Sequence, residues 1–417
     1  MKKSKADAIV IGAGASGMMA AASAAEAGAD VLLFEHSRMP GMKLRITGKG
    51  RCNLTNRSSI NDLLENIPHN SCFLRSSLHR FSQENTIDYF ESLGLPLKTE
   101  RGNRVFPVSD KAADVVETLR KHLDRLGVVI LYEHVDKVNT EDGIACGVQT
   151  SKGIYFSKTV ILATGGISYS RTGSDGSGLH LSRTLGHRIT ELEGSLVPLV
   201  EDGELCAEMQ GLSLKNIAIR VIDESNKVIY SDFGELIFTH FGLSGPVILS
   251  ASAHIPDNVP MDLFVDLKPA LDEQTLERRI LRDLEENKNK TMENILSLLL
   301  PRLMIPVILS LAEISPSTKA NSLTKQQRKK LLSYIKSFPI RIKCKRPIDE
   351  AIVTRGGVSI DQIDPKTMES KIIKQLFFAG EMIDVDAYTG GYNLQIAWTT
   401  GKIAGQSAAE ICLEDMQ

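Results

Sequence analysis

Between Ala6 and Glu35 the chain carries the residues of a dinucleotide-phosphate site in the order such a site needs. Gly12-Ala13-Gly14-Ala15-Ser16-Gly17 spaces three glycines as G-x-G-x-x-G. Gly12 permits a tight turn out of a strand, Gly14 lets a pyrophosphate approach the backbone, and Gly17 lets helix and strand pack closely. A helix opening at Ala15 aims its unpaired N–H groups and positive end at the phosphates. Glu35, about 18 residues beyond Gly17, can accept hydrogen bonds from a ribose 2′-OH and disfavours a 2′-phosphate there.

Three more segments have the residue types to meet the same ligand. Pro40 to Asn53 combines Gly41, Gly48 and Gly50 with Lys43, Arg45, Lys49 and Arg51, a cationic loop able to wrap a pyrophosphate and offer N–H groups to a flavin ring. Ala163-Thr164-Gly165-Gly166 is a strand end followed by paired glycines, with Thr172 to Gly178 behind it. That second glycine cluster lacks the strand before it and the acid-ended strand after it, which argues against a separate NAD(P) site. Gly380 to Asp386 and Gly390-Gly391-Tyr392-Asn393-Leu394 form the fourth segment. A helix opening near Asn393 would set its positive end against the charge that a flavin gains on reduction.

Candidates for bond making are sparser. His240, between an apolar strand and a glycine-rich turn, reads as an acid or base facing the cofactor, or equally as a structural turn residue. Arg355, beside Gly356-Gly357, reads as an anchor for a substrate carboxylate, or as a residue orienting the cofactor. Cys52 has no CxxC or CxxxxC partner and reads as a packing residue.

The elements that must position these residues alternate in type. Ala8 to Ile11, Val31 to Phe34, Val128 to Tyr132 and Val160 to Ala163 read as buried strands, with helices from Met18 to Ala27 and Asp110 to Leu126. Val148–Thr150 and Ile154–Phe156 read as a hairpin. From about residue 191 the texture changes to half-exposed alternating strands at 216–222, 261–267 and 340–345, with helices at 275–286 and 325–337 between them. After about residue 355 the first texture returns, with a strand at Leu376–Phe378 and an alanine-rich helix from Asn393 to Ile411. The expected division is therefore a nucleotide domain at 1–190 and 355–417, a β-rich insert at 191–270 and 338–354, and a helical subdomain at 271–337. The insert is expected to cap the nucleotide domain.

Composition narrows the classes. The 417 residues are 42% hydrophobic and 24% charged, with a formal net charge of -2, so no overall field draws nucleic acid or an anionic membrane. The basic run Lys325 to Lys330 reads as a solvated helix face. Met1-Lys2-Lys3 resembles the start of a signal peptide, but Asp7 interrupts the apolar stretch and the fingerprint occupies it. Ile295 to Ala312 contains Pro301, Arg302 and Pro306 and fails as a membrane span. Six cysteines with no metal-ligand spacing fit a cytoplasmic chain with reduced thiols and no metal.

The TGKGRCN run at 47–53, the ATGG turn at 163–166, Thr354 to Val358 and the stretch from Ala379 to Gln395 resemble one family. It is the bacterial family of FAD-dependent oxidoreductases that includes aminoacetone oxidase and a bile-acid-acting reductase. More distantly, the start, the ATGG region and the end resemble flavoproteins of the fumarate reductase and aspartate oxidase type. The resemblance implies an α/β fold: a Rossmann-like two-dinucleotide-type FAD domain split in sequence, with an inserted β-barrel-like domain and a helical subdomain. It implies FAD contacts at Gly12, Gly14, Ala15, Ser16, Glu35, Lys43, Thr47, Gly48, Arg51, Cys52, Asn53, Val135, Thr164, Gly165, Gly380, Glu381, Asp386, Asn393 and Leu394. The expected activity is exchange of a hydride equivalent between flavin N5 and a small organic substrate, with NAD(P)H as a transient reductant left open. The rivals are an NAD(P)-binding enzyme without flavin and a non-catalytic or RNA-directed flavoprotein.

Overall fold

Short runs of branched and aromatic apolar residues build a five-stranded parallel sheet. Its order is Leu376–Phe378, Thr159–Leu162, Ala8–Ile11, Val31–Glu35 and Val129–Tyr132. The first four of these strands are buried throughout, as a parallel sheet covered on both faces requires. The computed structural model describes residues 4–414. Met1-Lys2-Lys3, the basic start weighed above, lies outside them.

Helix Ala15–Glu26 follows the first strand and packs on the long helix Tyr392–Glu414. Small residues make that approach possible. A Cβ at Gly401 or Gly405 would collide with the carbonyl oxygen of Ser16 or Ala20. The amino- and carboxyl-terminal parts of the chain thus close one layer over the sheet. Helix Ala112–Arg125 begins two residues later than its apolar periodicity suggests, because Asp110 takes a left-handed conformation just before it. The strands Val135–Glu141, Ile144–Thr150 and Gly153–Phe156 form the antiparallel excursion, with Thr150 opposite Gly153 across the hairpin turn.

The chain divides into two compact units, one running to Ser195 and resuming at Ile348, the other Leu196–Pro347. Residues 191–195 and 348–354, grouped above with the insert, belong to the nucleotide unit. There Glu193–Ser195 pairs antiparallel with Val353–Arg355. The second unit is a closed six-stranded barrel of Leu199–Glu201, Gly242–Ser244, Val228–Thr239, Ser213–Ile222, Met261–Asp266 and Phe338–Lys345. Alternation puts Ile217, Ile219 and Val221 inside. Helices Glu273–Glu286, Ile305–Leu311 and Lys325–Lys336 share the barrel's apolar core, through Leu276, Ile308 and Leu331. Its first and last strands meet at Leu199 and Lys345. Among the described residues no helix is long and apolar enough to cross a membrane.

Candidate functional site

Within the nucleotide unit one cleft of about 180 Å³ opens at the carboxyl ends of the central strands. That is the end of the sheet where ligands of such α/β folds bind. Five segments distant in sequence form its walls, the four expected from the sequence and Ile352–Val353.

The first segment turns sharply. Gly12 adopts φ 96°, and Gly17 packs so closely that a Cβ there would collide with the Gly12 carbonyl oxygen. Gly14 differs: a Cβ on it would meet nothing within 4 Å. Two glycines serve the fold and the third leaves space beside the helix start. Glu35 is 7% exposed, and its carboxylate is already oriented. One oxygen accepts from the Ala13 N–H at 2.9 Å, the other from the Ser37 N–H at 2.7 Å and from its hydroxyl.

The second segment enters through Gly41, left-handed at φ 68°, whose N–H donates to the Ala13 carbonyl at 2.9 Å. The short helix Met42–Ile46 then carries Lys43 into the cleft wall. The Lys43 ammonium donates to both Glu381 oxygens, at 2.8 and 3.1 Å, and to the Ser168 hydroxyl at 2.8 Å. Glu381 also accepts from the Thr354 N–H at 2.7 Å and the Ser168 hydroxyl at 3.0 Å. Burial pushes the Glu381 carboxyl up, but Lys43 and these donors outweigh it and hold the group below its ordinary value. The cleft wall thus contains a charged, fully partnered pair.

The remaining segments are less polar. Thr164 and Gly165 line the cleft with Thr172, Gly173 and Ser174 behind them. Thr164 donates its hydroxyl to the Met382 sulfur at 2.9 Å. Asn393 and Leu394 line it at the start of the long helix, and Asn393 is fixed by bonds to the Ala387 N–H and carbonyl at 2.9 and 2.6 Å.

Of the residues singled out above, Gly12, Gly14, Ala15, Ser16, Glu35, Lys43, Thr47, Thr164, Gly165, Glu381, Asn393 and Leu394 share this cleft. Val135 lines a smaller adjoining pocket with His36, Glu133 and His134. The others lie outside the cleft lining. Gly48 packs on the Asn53 backbone. The Arg51 guanidinium bonds Glu100 and Asp110 and lies 4.2 Å over the Phe106 ring. Cys52 is wholly buried with a left-handed φ of 60°, and burial pushes its thiol up to about 12, so no thiolate forms near neutral pH. The Asn53 side-chain oxygen is buried with no hydrogen-bond partner among the described residues. Gly380 packs against Ser16. Asp386 lies outside the lining and bonds His69 and Ser195.

The two bond-making candidates part company. Arg355, in the nucleotide unit, pairs with Glu193 at 3.2 Å and lies outside the cleft wall, whereas its neighbours Ile352 and Val353 line it. His240 belongs to the second unit, in the turn after the Val228–Thr239 strand, edge-on to Phe241. Sequence reasoning passed over His36, Ser37, Ile352, Val353 and Val385 as lining residues. Ser37 had a usable signal, a short hydroxyl two residues past the strand-end acid. The three aliphatic residues had none, since cleft and core draw on the same residue types.

Comparison with known proteins agrees with this architecture. The HI0933-like protein Rossmann domain family matches residues 6–407. The 3-dehydro-bile acid delta(4,6)-reductase of Clostridium scindens is 33% identical over 408 residues, 96% of this chain and 98% of that protein. The ribosomal RNA dihydrouridine synthase of Escherichia coli is 29% identical over 416 residues, 98% of each chain. Among solved structures, the 3-ketosteroid-delta4-(5alpha)-dehydrogenase of Rhodococcus jostii RHA1 shares the fold at a TM-score of 0.52 and 18% identity, covering 97% of both chains. The chain therefore belongs to the HI0933-like Rossmann-domain family, the flavoprotein oxidoreductase family that its motifs resemble.

Proposed function

We propose that this protein holds FAD in the cleft and adds hydrogen to a carbon–carbon double bond of a small organic substrate, with a reduced nicotinamide as electron donor. The observation that carries the reading is the meeting of the fingerprint, the Lys43 segment, Thr164-Gly165 and the Asn393 helix start in one continuous cleft. The donor set fits an adenine dinucleotide. Glu35 is pre-oriented to take a ribose hydroxyl, and the open space at Gly14 and the adjacent helix start suit a pyrophosphate. When bound, FAD supplies a two-electron hydride equivalent at its N5. Of the remaining candidate contacts, Gly48, Arg51, Cys52, Gly380 and Asp386 would act by shaping the loops behind the cleft, and Val135 by walling the adjoining pocket. Arg355 stays as a candidate substrate-side group, and His240 as a candidate acid or base within the second unit.

The reductive direction is supported by two relatives whose names both describe saturation: a delta(4,6)-reductase and a synthase of dihydrouridine. In each case a double bond gains one hydride and one proton. The small-molecule reading is preferred because the formal net charge of -2 offers no strong electrostatic attraction to phosphate backbones. The second reading, saturation of a uridine in ribosomal RNA, rests on the near-complete alignment with the Escherichia coli enzyme.

Purified protein should be yellow and release FAD on denaturation. It should be reduced anaerobically by NADH or NADPH and reoxidised by a 3-oxo-4,6-diene bile acid. A colourless protein that does not take up FAD would sink the first reading. Loss of dihydrouridine from ribosomal RNA in a deletion strain, restored by the gene, would select the second.

A further inference from the structure

Asp386 is 1% exposed, yet its carboxylate is not used by the cleft. One oxygen lies 2.8 Å from Nδ1 of His69, and the other accepts from the Ser195 hydroxyl at 2.7 Å. The three groups join two environments. His69 is half-buried, with 23% of its side chain exposed, and sits at the start of the Ser71–Arg80 helix region. Ser195 is fully buried and lies opposite Val353, which lines the cleft. Residues directly opposed on antiparallel strands share one face, so the Ser195 side chain stands on the ribbon face of Val353. Asp386 itself follows the cleft-lining Val385.

The cleft wall beside them holds no spare acid. Ile352, Val353, Val385 and Leu394 are aliphatic, the Asn393 amide is bound to the backbone of residues 387 and 388, and Lys43 and Glu381 are paired with each other. Saturating a double bond nevertheless consumes a proton for every hydride.

We propose that His69, Asp386 and Ser195 form a proton relay from solvent to the Val353–Val385 side of the cleft. The inference rests on the reductive reading above. An imidazole exchanges protons with water near neutral pH, and a hydroxyl both donates and accepts. In the balanced step one alkene carbon would gain the hydride that bound FAD, once reduced by a nicotinamide, would supply. The other carbon would take a proton that leaves the relay at Ser195, on the buried side of the Val353 wall. Ser195 recovers a proton from Asp386, Asp386 takes the Nδ1 proton of His69, and His69 regains one from water at Nε2. Asp386 is the positioning residue of the chain, since it alone touches both others.

The test uses FAD-loaded protein reduced anaerobically with dithionite and mixed with a 3-oxo-4,6-diene bile acid, following flavin reoxidation. His69→Gln and Ser195→Ala should retain FAD affinity within about twofold, and both, like Asp386→Asn assayed at saturating FAD, should slow reoxidation at least tenfold. Added imidazole should restore His69→Ala, and the solvent deuterium isotope effect should change in the variants. In cofactor-free protein, ¹⁵N NMR should find the His69 proton on Nδ1, moving to Nε2 in Asp386→Asn, because an amide can turn its own N–H toward the ring. Full reoxidation rates in His69→Gln and Asp386→Asn would overturn the relay and leave the proposed function standing. A wild-type protein that binds FAD but is not reoxidised by the probe would overturn the reductive reading, and the relay with it.

Discussion

The two units solve different problems with different residues. The nucleotide unit builds its cleft largely from backbone: Gly12 and Gly41 set where the chain turns, Gly14 leaves space beside the helix start, and Glu35 is held by two backbone N–H groups. The barrel unit builds from side-chain volume, with Leu236, Phe238, Leu263, Phe338 and Ile342 filling a closed sheet. A backbone-built site tolerates few residue types at fixed positions, whereas a filled core tolerates many combinations of similar volume. The difference teaches where position fixes the residue type in this chain and where volume alone does.

The sharpest way to break that comparison is to express residues 196–347 alone. The segment is continuous and has its own apolar core, so it should unfold cooperatively in urea and bind no FAD. Flavin retained by this fragment would end the division of labour.

Next in size is the Lys43–Glu381 pair. Lys43→Met leaves a largely buried carboxylate without its cation, which should cost about 3 kcal/mol at pH 8. The sign of its pH dependence should invert. In the wild type the Glu381 carboxyl is held down, so the pair stabilises above the ordinary carboxylate range and the benefit fades as pH falls through the folded value. In Lys43→Met burial is opposed only by the Thr354 and Ser168 donors and raises that carboxyl relative to the wild type, so the deficit should shrink toward pH 5. Urea unfolding at pH 5 and pH 8 measures both, and Lys43→Met/Glu381→Gln should recover most of the loss.

Glu35→Ala should weaken FAD by roughly one to two powers of ten, through loss of charge-assisted bonds worth about 1.5–3 kcal/mol. Protein resaturated with FAD should still react at nearly the original rate. Gly14→Ala should leave the melting temperature of cofactor-free protein unchanged within about 1 °C, because its Cβ enters open space, while FAD affinity falls at least tenfold. Melting curves and flavin titrations on the same samples would show whether fold and ligand roles separate at neighbouring glycines. Smallest of all, Cys52→Ala should keep flavin content and turnover near wild type, and wild-type Cys52 should resist thiol reagents at pH 8.

Legibility followed the same divide. Gly12, Gly14, Gly17 and Glu35 could be read because strand, turn, helix and acid each demand a residue type at a set distance. The parallel strands were legible as unbroken apolar runs. The sheet Thr55–Asn56, Leu97–Glu100 and Arg104–Pro107 was not, because its strands are only two to four residues long. Arg51 shows the limit of motif reading: its position in the loop suggested the cofactor, but Glu100 and Asp110, about 50 residues away in sequence, take the guanidinium. His69 and Asp386 are more than 300 residues apart, so only the fold could bring them together.

The ribbon in which Ser195 faces Val353 has a thermodynamic meaning beyond the cleft. The chain leaves the nucleotide unit and re-enters it at neighbouring points, and the barrel's own ends meet at Leu199 and Lys345. Whichever unit folds first therefore holds the other's ends together. Closing a flexible loop of the insert's length costs about 4 kcal/mol by the logarithmic law, and that entropy is lost only once. Folding of one unit thus promotes folding of the other through chain connectivity itself, an effect that grows no stronger if the insert lengthens by a few residues.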